Sequence, residues 1–282
     1  MNIINIGVIG AGQMGLGIAQ AFATSGFQVI LNDIDAATLD RGLQSISSSL
    51  ARLNTKGSLN EQPQSIVDRI KTSNELAALA QTQLVVEAVS ENETLKKQLF
   101  AKLDTLCPAQ TIFASNTSSI SITRLAAATG RPDRVVGIHF MNPVPVMNLV
   151  EIIRGLQTSD ETYLTVNKLV TQLDKTSVTS QDRSGFIVNR ILLPMINEAI
   201  FVLDEGVGGA EEIDAAMKLG ANHPLGPLAL ADLIGLDTCL SIMNVLLDGF
   251  NDPKYRPCPL LKKMVDAGYL GRKAGRGFFE YS

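Results

Sequence analysis

Histidine is nearly absent from this chain: His139 and His223 are the two in 282 residues. Cysteine is almost as scarce, and Cys107, Cys239 and Cys258 show neither metal-ligand spacing nor an even count. A disulfide framework and a cysteine-based metal site are therefore excluded, and reduced core thiols are the reading that fits. Charged residues make up only 18%, with a net charge of −4, so no basic surface is offered to nucleic acid or to an anionic membrane. A small anionic ligand would have to be met by local donors. Long unbroken apolar runs are missing too. The candidate GFIVNRILLPMINEAIFVL (185–203) is interrupted by Asn189, Arg190, Asn197 and Glu198, and reads as no membrane span. The N-terminal MNIINIGVIG has no basic region and enters a strand-like pattern at once, so no targeting peptide is expected and the cytoplasm is the default location. Internal repeats and low-complexity tracts are absent.

What is present is apolar material, 45% of the chain, over a length that is comfortable for two domains. The first part alternates short β-branched runs with helical patterns, which predicts a mostly parallel sheet with crossover helices. Strand-like runs lie at 3–9, 28–33, 84–89, 111–115, 134–140 and 149–153. Roughly fifty residues separate the second run from the third, room for a helical excursion through AATLDRGLQSISSSLARL and SIVDRI. Beyond Gly185 the pattern is helix after helix, at 186–205, 210–219, 227–248 and 259–267, with Gly206, Gly220 and Gly268 as stops. The expected organisation is a doubly wound α/β nucleotide-binding domain over 1–184 and an all-α domain over 185–282.

The first strand runs into GVIGAGQMGLGIA, which spaces Gly10, Gly12 and Gly15 as a dinucleotide-binding loop that opens a helix. Gly10 permits the tight turn, Gly12 lets backbone approach a pyrophosphate, and Gly15 lets the helix pack closely on the strand. Gln13 and Met14 begin that helix, where free N–H groups would meet the pyrophosphate. The second strand ends at Asp33, eighteen residues after Gly15. A carboxylate there accepts from the ribose 2′-hydroxyl and repels a 2′-phosphate, so the cofactor expected is NAD rather than NADP.

Ligands of open α/β sheets bind beyond the carboxyl ends of the strands. Three polar clusters fall there: EAVSEN (87–92), SNTSS (115–119), and His139 with the MNP that follows it. Glu151 instead sits inside the apolar run LVEII, where an unpaired carboxylate would be costly to bury. Its natural partner is His139, twelve residues back across the NPVPV turn. A carboxylate would fix the imidazole's tautomer, and an imidazole beside a nicotinamide is suited to take a hydroxyl proton as hydride leaves carbon. A core histidine bonded to backbone is the bland alternative. His223, before a proline between two helices, reads as a loop residue.

These stretches resemble the L-3-hydroxyacyl-CoA dehydrogenases, in particular the short bacterial 3-hydroxybutyryl-CoA dehydrogenases. The resemblance runs through GAGQMGLGIA, VVEAVSEN, FASNTSSISIT, GIHFMNPVPVMNLVEII, GFIVNRILLPMINEA, DAAMKLGANHPLGPLALAD and LGRKAGRGFFEYS, nearly the whole chain. It implies a Rossmann-type domain followed by a helical one that contributes to the substrate cleft; the helical domain's apolar faces exceed what one domain can bury, which suggests a homodimer. Carried over by matching position, His139 is similar to the catalytic base and Glu151 to its orienting carboxylate. Ser118 resembles the serine that bonds the substrate's 3-oxygen, and Asn189 the asparagine that holds the acyl group. Asp33, Glu91, Lys96, Asn116, Asn142 and Lys273 fall where the family contacts NAD. The excursion would receive the CoA moiety, with Ser49 and Lys56 as its contacts. Met141, Asn148 and Ser184 depart from the residues usual at those positions.

The function expected is NAD-dependent interconversion of a short-chain L-3-hydroxyacyl-CoA and the 3-ketoacyl-CoA. Two alternatives stand beside it. One is a dehydrogenase of free 3-hydroxy acids or sugar acids on the same scaffold, separated by assaying the acyl-CoA against the free acid. The other is a non-catalytic NAD-binding protein, for which loss of His139, Glu151 or Ser118 would have spoken; all are present.

Overall fold

Short apolar strands stack side by side in the first two thirds of the chain because their flanking helices cover both faces. The computed structural model describes residues 3–281 and divides between Asp182 and Arg183 into two compact units. In the first unit the strands are β1 (Asn5–Ile9), β2 (Gln28–Asn32), β3 (Ile70–Ser73), β4 (Leu84–Glu87), β5 (Ile112–Ser115), β6 (Val135–Phe140), β7 (Leu149–Arg154) and β8 (Thr176–Gln181). They form one sheet in the order β3-β2-β1-β4-β5-β6-β7-β8. Every pairing is parallel except β6 with β7. The exception follows from the connection. Parallel neighbours need a long crossover, and the stretch from Met141 to Asn148 is too short to make one.

The crossovers are α1 (Gln13–Thr24), α2 (Ala36–Thr55), α3 (Pro63–Val67), α4 (Glu93–Leu106), α5 (Ile122–Ala126) and α6 (Asp160–Gln172). Side-chain caps start several of them: Asp35 for α2, Asn92 for α4, Ser121 for α5 and Ser159 for α6. Ile6, Val8, Ile18, Phe22, Leu31, Val86, Ile138 and Ile152 meet in one buried core. The order of the sheet reverses between β1 and β4, and the crevice for a dinucleotide opens at that point.

Two strands have no counterpart in the sequence reading. β3 (IKTS) and β8 (TSVTSQ) are the two edges, and mostly polar residues face solvent on them. An edge strand buries too little to need an apolar run, so periodicity does not reveal it. SIVDRI, expected as helix, divides accordingly: helix ends at Val67 and Ile70 already pairs with Val29.

The second unit contains α7 (Val188–Asp204), α8 (Ala210–Gly220), α9 (Pro227–Ile234), α10 (Leu236–Phe250) and α11 (Pro259–Asp266). Leu193, Ile196, Ile200, Leu228, Leu236, Cys239, Leu246 and Leu261 build its core. The single helix expected over 227–248 is in fact two, bent by 97°. Gly235 lies between them at φ 100, where a side chain would be strained and would press on Asp237 and Lys273. Asp232, just before the bend, accepts from the backbone of Phe278 and Phe279 and from the Tyr281 hydroxyl, and so anchors the C-terminal segment. No single helix among the described residues is long and apolar enough to cross a membrane.

Candidate active site

The glycine loop is formed as its spacing requires. Gly10 adopts φ 101, and a Cβ there would collide with the Ala88 carbonyl at the end of the neighbouring strand. A Cβ at Gly15 would collide with the Gly10 carbonyl. Gly12 differs, because a Cβ there would meet nothing within 4 Å. The protein itself does not demand glycine at that position; the open space in front of α1's N-terminus is what a side chain would occupy. That space continues into a cavity of about 420 Å³ lined by Gly10, Gly12, Asn32, Asp33, Ile34, Val89, Leu95 and Leu99 among others. Ile34 is 95% exposed beside it, an apolar wall of the kind a flat base covers. The residues fit a dinucleotide: a bare backbone cradle, a helix N-terminus, an acid at the end of β2 and an apolar slot.

Asp33 is already tied into the cradle. Its Oδ2 accepts from the Ala11 N–H at 2.7 Å, and its Oδ1 from the Asp35 N–H at 3.2 Å. One carboxylate, at the position expected to meet the ribose, thus also braces the phosphate loop.

At the end of β4 lies a buried charge network. Glu87 is fully buried and accepts from Lys96 Nζ at 2.6 Å, from Ser115 Oγ at 2.6 Å and from the Val89 N–H at 2.7 Å. Lys96, at 1% exposure, also reaches Glu91 Oε2 at 3.3 Å. The other Glu91 oxygen, Oε1, gathers the serine-threonine loop, accepting from Thr117 Oγ1 (2.5 Å), Ser119 Oγ (2.8 Å), the Ser118 N–H (2.9 Å) and Ser118 Oγ (3.3 Å). Burial acts to raise the Glu91 carboxyl, but the Lys96 charge and these donors outweigh it and hold the group below its usual range. Lys96, expected as a cofactor contact, is buried with its ammonium between Glu87 and Glu91. Asn116, expected at the cofactor too, has its Oδ1 occupied by the Phe140 N–H at 2.9 Å, which pins the loop after β5 to β6.

His139 and Glu151 are cross-strand partners in the antiparallel β6–β7 pair. Nδ1 lies 2.8 Å from Glu151 Oε2, with Glu151 fully buried and His139 at 7% exposure. Because an ionised carboxylate only accepts, Nδ1 carries the ring proton and Nε2 is the nitrogen able to take one. Asn142 is exposed in the turn just beyond, and its peptide bond to Pro143 is cis.

Ser49 is half-buried on α2, and Lys56 is exposed at that helix's C-cap. In the helical unit, Asn189 is half-buried in the first turn of α7. Lys273 pairs with Asp237 at 2.6 and 2.7 Å within the same unit. His223 donates its backbone N–H to Met217 O in the loop after α8.

Glu87, Ser115 and Thr117 were missed as individual residues. A signal for Glu87 was available: a carboxylate closing the apolar strand LVVE demands a partner for the same reason as Glu151. Among the described residues no cluster of three metal-ligating side chains occurs.

Comparison with known proteins agrees with this geometry. Residues 5–183 match the 3-hydroxyacyl-CoA dehydrogenase NAD binding domain, and residues 185–281 match the C-terminal domain of the same family. The chain is 56% identical over 280 residues to a 3-hydroxybutyryl-CoA dehydrogenase of Bradyrhizobium diazoefficiens, covering 99% of this chain and 96% of that one. It is 48% identical over 280 residues to the enzyme of that name from Clostridioides difficile, covering 99% and 100%. A crystal structure of (S)-3-hydroxybutyryl-CoA dehydrogenase from Ralstonia eutropha is similar over 100% of both chains, at 54% identity and a TM-score of 0.96. With both halves matched and identity above half along its whole length, this chain belongs to the 3-hydroxyacyl-CoA dehydrogenase family.

Proposed function

We propose that this chain interconverts short-chain L-3-hydroxyacyl-CoA and 3-ketoacyl-CoA with NAD, 3-hydroxybutyryl-CoA being the favoured substrate. The observation that carries the reading is the buried His139–Glu151 pair, in the same sheet as an NAD cradle and at the same carboxyl edge. From β1 to β6 is three strand spacings, about 15 Å. When bound, NAD accepts the hydride from substrate C3, and in the reverse direction NADH supplies it.

The chain's own residues handle the proton. His139 Nε2 takes it from the 3-hydroxyl during oxidation, and Glu151, through Nδ1, stabilises the imidazolium that results; such catalysis is typically worth about 10²–10⁴-fold. In reduction the protonated ring returns that proton to the oxygen. Ser118 is assigned as the hydroxyl donor to the 3-oxygen. Its 3.3 Å bond is the longest of the four that Glu91 Oε1 accepts, and so the one most readily exchanged. Asn189 is assigned to the acyl group on the strength of its position in GFIVNR. Ser49 and Lys56 are the donors proposed for CoA.

A homodimer through the helical unit forms part of the proposal. It is supported by an apolar groove of about 520 Å³ lined by Met195, Ala199, Val202, Val207, Ile213 and Met217, with Val207 mostly exposed.

The deciding experiment is a spectrophotometric NADH assay across 3-ketoacyl-CoA chain lengths, with acetoacetate as the free-acid control. Highest kcat/KM on acetoacetyl-CoA is expected. Equal turnover of the free acid, or none of any thioester, would overturn the reading.

A further inference from the structure

The turn between His139 and Glu151 is held from outside by a residue the chemistry does not use. α6 ends in a paired-bond C-terminal motif, with the Asp174 N–H on Thr171 O and the Lys175 N–H on Val170 O. Asp174 occupies the left-handed position of that motif, at φ 56, where glycine is usual. The turn delivers Lys175 to the start of β8, directly beneath the 141–148 loop. There Nζ donates to Val144 O at 2.8 Å and to Met147 O at 2.7 Å. Burial pushes this ammonium down from its ordinary value, partly countered by Asp174.

The two carbonyls belong to one tight turn, closed by Pro143 O accepting from the Val146 and Met147 N–H groups. One ammonium therefore holds two carbonyls of that turn. The loop is braced on its other side as well. Val144 is buried against α1, where a Cβ at Gly17 would come within 2.9 Å of Val144 Cβ. The next bond along, the Thr176 N–H to Asn148 O at 2.8 Å, joins the loop's end to β8.

We propose that Lys175 is a positioning residue for the dehydrogenase reaction, clamping the 141–148 turn so that Asn142 and the His139–Glu151 pair are held against the NAD cradle. The loop leaves β6 one residue after His139 and re-enters β7 two residues before Glu151, so slack in the turn is felt at both ends. It carries Asn142 and rests on the helix whose N-terminus meets the cofactor. The inference rests on the function proposed above only for its kinetic consequence; the clamp itself can be tested without cofactor.

The test compares Lys175→Met, which keeps the aliphatic stem and removes the donors, with Lys175→Arg and Asp174→Gly in the full-length chain. In Lys175→Met, KM for NADH should rise about tenfold and kcat fall about tenfold or more, while KM for acetoacetyl-CoA stays within about threefold. Lys175→Arg should recover part of the loss because it can donate to both carbonyls, and Asp174→Gly should match the parent. Hydrogen exchange on cofactor-free protein supplies the second readout. Amides of Val146 and Met147 should exchange about tenfold faster in Lys175→Met, with those of β4 unchanged. Unchanged exchange and unchanged kinetics would overturn the clamp, as would a lowered Tm with kinetic constants within twofold of the parent. Failure of both Lys175 variants to fold counts against it too, since a positioning role requires the fold to outlive the contact. An inactive parent with faster loop exchange in Lys175→Met would sink the proposed function and leave the clamp standing.

Discussion

His139 and Glu151 face each other across two antiparallel strands, with Nδ1 and Oε2 2.8 Å apart and the carboxylate fully buried. Register places them there: Ile138 pairs with Ile152, and Phe140 with Val150, on either side. Glu151→Gln keeps shape and burial but removes the charge that stabilises an imidazolium. We expect kcat for oxidation to fall about 10²-fold, with NADH affinity nearly unchanged. His139→Gln should be worse, and His223→Gln should retain most activity. Steady-state kinetics with 3-hydroxybutyryl-CoA checks all three. A Glu151→Gln rate equal to the parent's would reduce the acid to a structural strand residue.

Asp33 braces the phosphate loop and is proposed to meet the ribose, so its removal should show two effects. Without the carboxylate the Ala11 N–H loses its partner, which loosens the phosphate loop for either cofactor. Without the charge, repulsion of a 2′-phosphate disappears. Asp33→Ala is therefore expected to weaken NADH binding while narrowing the preference over NADPH. Fluorescence titration with both nucleotides measures it, and a preference left intact would assign selectivity elsewhere.

Glu91 predicts an acid-sensitive loop. Its carboxyl lies below its ordinary 4.5 in the folded chain, so the unfolded state takes up the proton first. The stability it contributes is complete above the unfolded value, and is lost as pH falls through the lower, folded one. Glu91→Gln should therefore flatten the decline in Tm between pH 5 and pH 3 relative to the parent. Parallel declines would show that the carboxylate's bonds to Thr117, Ser118 and Ser119 add no net stability.

The three cysteines should be inert. Burial, with Asp237 and Asp232 nearby, pushes the Cys239 thiol up to about 12, and burial raises Cys107 and Cys258 as well. At pH 8 the reactive thiolate of Cys239 is a fraction on the order of 10⁻⁴. Labelling with a maleimide should be slow in the native protein and reach three equivalents after unfolding. Rapid stoichiometric labelling of the folded chain would contradict the burial of these thiols.

Much was legible in the residues alone, and what was legible shares a physical character. Runs that must be buried announce themselves, so six strands, the glycine loop and the helical C-terminal unit followed from apolar periodicity and from the few residues that can turn tightly. Glu151 was legible for the converse reason, as a charge where none can stay unpaired. The family's presence was equally plain, because its motifs stand in order along the chain. Tertiary structure decided what periodicity does not encode. The polar edge strands β3 and β8 exist because a neighbour offers hydrogen bonds, and the bend at Gly235 lies beside Asp232, which a distant C-terminal segment meets. Lys96, expected at the cofactor, has its ammonium on Glu87 and Glu91, and Lys273, expected there too, pairs with Asp237; neither partner is legible from spacing. A lysine's stem reaches in many directions at similar cost, so only its folded surroundings determine which oxygen its ammonium finds.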